Sequence, residues 1–180
     1  KEYEPTLEDI FIVIPSGDYQ RLLFCGHTLR EREETHLQDF RNYLKVKGLS
    51  IPAEYDDSNR VVLRFLQGLK WNYQQTHDEI WEHHKWATSI TTLQPATFWP
   101  LLQSGILYGL KRDIQQHPVV VMNVRRIIDT NADFNQLMDM TNFFLNYTIE
   151  KSMVPGKVES WTCICDMANV GATQIPKDKV

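Results

Sequence analysis

The chain has 180 residues, about the length of one domain or a little more. An apolar content of 42% supports an ordinary packed core. A net charge of −4 argues against a general nucleic-acid binder, which needs a basic surface against phosphates. No apolar run approaches membrane-spanning length, so any membrane contact is expected to be peripheral, and the opening residues do not read as a signal peptide.

Residues 1–26 look separate from the rest of the chain. An apolar run from Ile10 to Ile14 is broken by the turn signal Pro15-Ser16-Gly17-Asp18, and Tyr19 to Cys25 comes next. Two readings fit: a hairpin, or an extended arm lying on a partner protein. Thr28 to Lys47 reads as a helix whose buried face carries Leu29, His36, Leu37, Phe40, Tyr43 and Leu44, with Gly48 as its C-cap. The run Arg30-Glu31-Arg32-Glu33-Glu34 reads as a solvated face with local ion pairs. Leu49 to Tyr55 is a linker, with Pro52 disfavouring helix.

Val61 to Trp86 reads as two helical segments meeting at Lys70-Trp71-Asn72. Val62, Phe65, Leu66 and Leu69 mark one face of the first, and Asp57 or Ser58 would cap it. Asn72 would cap the second, with Gln75 three residues on. Two short amphipathic helices cannot bury their faces alone, so they must cover something larger.

Beyond a proline-bearing connection from Thr91 to Pro100, Leu101 to Leu110 is apolar and punctuated by Gly105 and Gly109. Lys111-Arg112-Asp113 reads as a polar turn. Val119 to Val124 reads as a buried strand, Asp133 to Met153 as a helix, and Trp161 to Met167 as a second buried strand. The helix face is marked by Phe134, Leu137, Met138, Thr141, Phe144, Leu145 and Thr148. Strand, crossover helix and strand predict a parallel pair in an α/β lobe.

Chemical signals are sparse. The three cysteines, Cys25, Cys163 and Cys165, include no Cys-x-x-Cys pair, which argues against a disulfide framework or a zinc site and for a reduced, intracellular setting. Cys163 and Cys165, two apart on one strand face, read as small apolar residues. His77, Glu79, Glu82, His83 and His84 crowd one helix, but HExxH is absent, so a polar flank is expected and no metal site. Nucleophile-elbow and P-loop motifs are missing. Asp166 ends an apolar strand, a position where α/β enzymes place carboxylates, but its expected role is to cap the turn from Asn169 to Gly171. Asn146-Tyr147-Thr148 spells a glycosylation sequon but falls inside a helix.

Leu63, Arg64, Phe65, Leu66, Lys70, Trp71, Asn72 and Trp86 resemble the small helical N-terminal lobe of the CRAL-TRIO lipid-binding and lipid-transfer family; Gln67, Gly68, Leu69 and Ala87 depart from its pattern. LLQSGILYGLKRDIQQHPVVVMNVRRIID and WTCICDMANVGA are similar to the start of that family's lipid-binding lobe. The resemblance runs from about Glu33 to Gly171 and implies an α/β fold: an extension over 1–26, a helical lobe over 27–94 and an incomplete CRAL-TRIO lobe over 95–180. Because family members continue past Gly171, the chain is expected to be part of a longer polypeptide.

The resemblance also implies a non-enzymatic, cofactor-free protein that holds a phospholipid or other hydrophobic ligand in an apolar cavity. Val119, Val121 and Ile164 would form the floor, and Met140, Phe143, Phe144 and Tyr147 the walls. Lys70 matches a basic position that meets phosphoinositide headgroups in some members; alternatively it is a surface charge at a helix end. Trp161 and Cys163 stand where phosphatidylcholine-binding members place hydroxyls, which argues against that lipid. The expected setting is cytoplasmic with peripheral membrane contact. A competing reading is a structural or interaction subunit of a larger assembly, with 1–26 as a docking arm for a protein partner.

Overall fold

A computed structural model describes residues 3–171 other than 16, 57 and 131. Ser16 of the expected turn, Asp57 as an alternative cap, and residues 172–180 of the expected lobe lie outside the described residues. The chain divides into two compact units, one of residues 5–91 and one of the residues from 92 onward together with those before 5.

In the first unit, α1 (Leu7–Ile10) leads into a hairpin of β1 (Phe11–Val13) and β2 (Tyr19–Arg21). The strands pair antiparallel with Phe11 opposite Arg21. Four helices come after the hairpin: α2 (Glu31–Lys47), α3 (Ala53–Asp56), α4 (Asn59–Gly68) and α5 (Tyr73–Ile90). Each long helix has a physical stop or start. Gly48 takes the left-handed conformation after α2, at φ 64°, where a side chain would be strained. Ser58 Oγ accepts from the Val61 N–H at the start of α4, and Asn72 Oδ1 accepts from the Gln75 N–H at the start of α5. The core joins Leu37, Phe40 and Leu44 of α2 to Tyr55, Val62, Leu63, Leu66 and Ile80.

Two sequence expectations are corrected in this unit. The segment expected to be a separate extension packs with the helices from Pro5 on, because Phe24 joins their core and Arg21 is fully buried among them. Glu33, expected in a solvated run, is also buried. Its carboxylate accepts two hydrogen bonds from Arg21, from Nε at 2.8 Å and Nη2 at 2.7 Å. Arg21 donates further to the carbonyls of Leu23 and Thr28. Its backbone exchanges a reciprocal pair of bonds with the Gln67 side chain on α4. The rest of the charged run is exposed as expected, with the Arg30 guanidinium lying over the rings of Phe11 and Tyr19. The linker stretch also holds one short helix, α3, which starts just after Pro52, where a missing N–H costs nothing.

The second unit contains a short 3₁₀ turn (Pro95–Thr97), α6 (Trp99–Gln103), β3 (Leu107–Arg112), β4 (Pro118–Asn123), α7 (Val124–Asp129), α8 (Phe134–Ser152) and β5 (Thr162–Asp166). The strand order is β3-β4-β5. β3 and β4 are antiparallel, and β4 and β5 are parallel with Val121 opposite Ile164. The expected strand–helix–strand crossover is present, capped by Asp133, whose side chain accepts from the Gln136 N–H at 2.8 Å. Leu101 to Leu110, apolar but without a clear period in sequence, supplies most of α6 and of β3. Val124, expected at the end of a strand, instead opens α7, because Asn123 caps a helix there. Phe134 and Met138, expected on the buried face of α8, are 46% and 40% exposed; Leu137, Met140 and Thr148 are its buried residues. The expectation of a buried strand fails at β5, where Cys163, Ile164 and Cys165 are exposed, because among the described residues β5 has a neighbouring strand on one side only.

Candidate functional site

Strand alternation sorts the sheet into two faces. Leu107, Val120 and Met122 share one face and pack into a core with Phe98, Ile106, Leu137 and Met140, which Phe143 and Phe144 flank. The register adds Cys163 and Cys165 to that same face, opposite Val120 and Met122. The other face carries Tyr108, Val119, Val121, Thr162 and Ile164.

This geometry divides the residues expected to line one cavity. Val119, Val121 and Ile164 do share a face. Met140, Phe143 and Phe144 pack on the opposite face, where Met140 is completely buried and the Phe143 ring lies 5.5 Å from that of Phe98. Floor and walls are therefore on different sides of the sheet. Sequence spacing identifies which residues share a face, but not which face a crossover helix covers. Tyr147 is 54% exposed on α8 and lies in neither set. Lys70 belongs to the other unit, where it is exposed at φ 53°, followed by Trp71 at φ 64°. Two consecutive side chains in the left-handed region are uncommon and hold the α4–α5 turn in one shape. The Trp71 ring stacks on His36 with centroids 4.1 Å apart.

The face bearing Val121 is apolar and partly open. Val121 is buried at the centre, while its two register neighbours, Tyr108 and Ile164, are 40% and 47% exposed. Tyr108 carries no signal of its own in sequence; its place opposite Val121 depends on the β3–β4 register. At one end of this face the turn after β3 is tied to β5 through Asp113. Its carboxylate accepts from the Thr162 hydroxyl at 2.8 Å and from the Gln115 and His117 backbone N–H groups, both at 2.9 Å. Burial raises the Asp113 pKa, but these bonds and the nearby His117 outweigh it and hold the carboxyl below the usual range. At the other end the Asn123 amide donates to Asp166 at 3.1 Å, and Asp166 also accepts from the Ala168 N–H. Asp166 is thus engaged in shaping the turn that comes after it.

The histidine-rich helix forms pairs rather than a cluster. His77 meets Asp78, His84 meets Glu54, and His83 Nδ1 lies 2.7 Å from the Tyr55 hydroxyl. Among the described residues no three His, Cys, Asp or Glu side chains are placed to hold one metal ion. A shallow cleft of about 460 Å³ opens in the helical unit instead, lined by Arg41, Leu44, Lys45, Leu49, Ser50, Ile51 and Asp56. Among the described residues no helix is long and apolar enough to cross a membrane.

No curated protein shows significant similarity to the chain. A family model described as the CRAL/TRIO domain matches residues 102–180, the stretch that holds all three strands and the crossover helix. The match and the mixed α/β topology agree, and they support a CRAL/TRIO family assignment for that stretch.

Proposed function

We propose that the chain is part of a non-enzymatic lipid-binding and lipid-transfer protein. CRAL/TRIO domains in general bind hydrophobic small molecules. The observation that carries the reading is the apolar sheet face in the matched stretch, where buried Val121 is flanked by the exposed Tyr108 and Ile164. A phospholipid acyl chain laid on that face would be held by burial of apolar surface, at roughly 25 cal/mol per Å². No bond is made or broken. Lys70, on the helical unit, would meet phosphoinositide headgroups of a membrane surface, and the protein would work in the cytoplasm while touching membranes there.

The test is lipid capture by the protein purified from its natural source and incubated with vesicles of phosphatidylcholine and phosphatidylinositol. Native mass spectrometry should find one bound lipid, and Ile164→Glu should abolish it while leaving the circular dichroism spectrum unchanged. Lys70→Ala should weaken phosphatidylinositol capture selectively.

A second reading is a structural or interaction subunit of a larger assembly. It is favoured by the packing of α8, where Met140 and the Phe98–Phe143 ring pair fill the space against the sheet. A protein partner retained in native spectra with no lipid adduct would establish that reading over the first.

A further inference from the structure

We propose that Cys163, Cys165 and Met122 form a binding site for a soft monovalent cation, copper(I). The two cysteines are alternate residues of β5, so they share a face and stand about 6.6 Å apart along the strand. Both are exposed and free of a disulfide. The parallel register sets Met122 directly opposite Cys165 on the same face, at the interstrand spacing of about 4.8 Å. Three sulfur-bearing side chains are thereby gathered on one face of the neighbouring strands β4 and β5.

The geometry discriminates among the chemistries open to such a patch. A disulfide needs Cβ atoms about 3.5–4.5 Å apart, less than one strand repeat. Closing it would kink β5, which is held in register with β4 from Thr162 to Asp166. Zinc takes four nitrogen, oxygen or thiolate ligands in a tetrahedron, and the described residues supply no group of even three such donors. Two thiolates and a thioether suit a soft cation of low coordination number, and copper(I) is the one such donors select. Binding is balanced by protons: two thiols bind one cation and release two protons to solvent. Because those protons are released on binding, affinity should climb with pH. The site is independent of any lipid.

The test is an anaerobic titration of the reduced full chain with copper(I) buffered by a colorimetric chelator. One equivalent should transfer to the protein, more tightly as pH rises. Cys163→Ser and Cys165→Ser should each weaken binding by at least the roughly 10- to 100-fold that loss of an outer-shell partner costs. Met122→Leu conserves volume and should weaken it several-fold, whereas Cys25→Ser should leave it unchanged. Circular dichroism matching the parent protein would separate ligand loss from unfolding. Wild-type affinity in either serine variant, no change with Met122→Leu, or effective competition by zinc(II) would overturn the proposal.

Discussion

Removing the Glu33 carboxylate should be the most damaging single change in the helical unit. Arg21 is buried with its side chain wholly out of solvent, and four hydrogen bonds satisfy it, two of them to Glu33. Glu33→Ala would leave that guanidinium buried without its counter-charge, which costs about 3–5 kcal/mol. Glu33 also accepts from the Arg30 N–H at 2.8 Å at the start of α2, and losing a helix-start acceptor adds about 0.5–2 kcal/mol. The sum is comparable with the whole stability of many domains, about 5–15 kcal/mol. Urea unfolding read by the tryptophan fluorescence of the unit, alongside regional hydrogen exchange, would measure the loss. A double variant, Arg21→Met with Glu33→Leu, should recover most of it, because apolar side chains can replace a buried ion pair at little net cost. A Glu33→Ala loss below about 1 kcal/mol would refute the reasoning, since orphaning a buried charge costs several times that.

Other perturbations probe single features. Gly48→Ala places a side chain in the left-handed region with open space around it, so denaturant unfolding should show a loss of about 1 kcal/mol from backbone conformation alone. Asn72→Ala removes the acceptor for the Gln75 N–H and should cost about 1 kcal/mol in the same assay. His36 is partly buried against Trp71, and burial and then Arg32 lower its pKa from 6.5. A histidine with a depressed folded pKa contributes stability that is complete above its unfolded pKa and is lost as pH falls through the folded value. Unfolding midpoints should therefore decline as pH drops below about 6.5, and His36→Phe should flatten that slope. Asp113 carries a depressed carboxyl pKa, so its contribution is present above the ordinary carboxylate range and vanishes under stronger acid. Asp113→Ala should remove that acid dependence and loosen the β3–β4 turn in hydrogen exchange.

Local physics was legible wherever a signal acts over a few residues. The caps Asn72 and Ser58, the left-handed Gly48 and the start of α8 at Asp133 could be read because each satisfies a backbone group within one turn of itself. The parallel β4–β5 pair was legible because a helix-length segment between two apolar runs permits few other connections. Glu33 was not legible: in sequence it is one charge among five. Its burial depends on Arg21, twelve residues away, and on a hairpin that packs with the helices. The candidate surface was legible as residue types and as alternation, but not as sides. Periodicity states that Val119 and Val121 share a face, and it does not state that α8 covers the opposite one.

The amino-acid sequence by itself determined the α/β class and the order of the main elements, because propensity, capping and hydrophobic period are short-range properties of the chain, and its motif residues carried the likeness to the CRAL/TRIO family. The tertiary structure alone decided that Arg21 neutralises Glu33, that Met140 and Phe143 fill a core rather than face Val121, and that Met122 stands beside Cys165. Those outcomes depend on which surfaces meet, and burial energy is not assigned to either surface until both are in place.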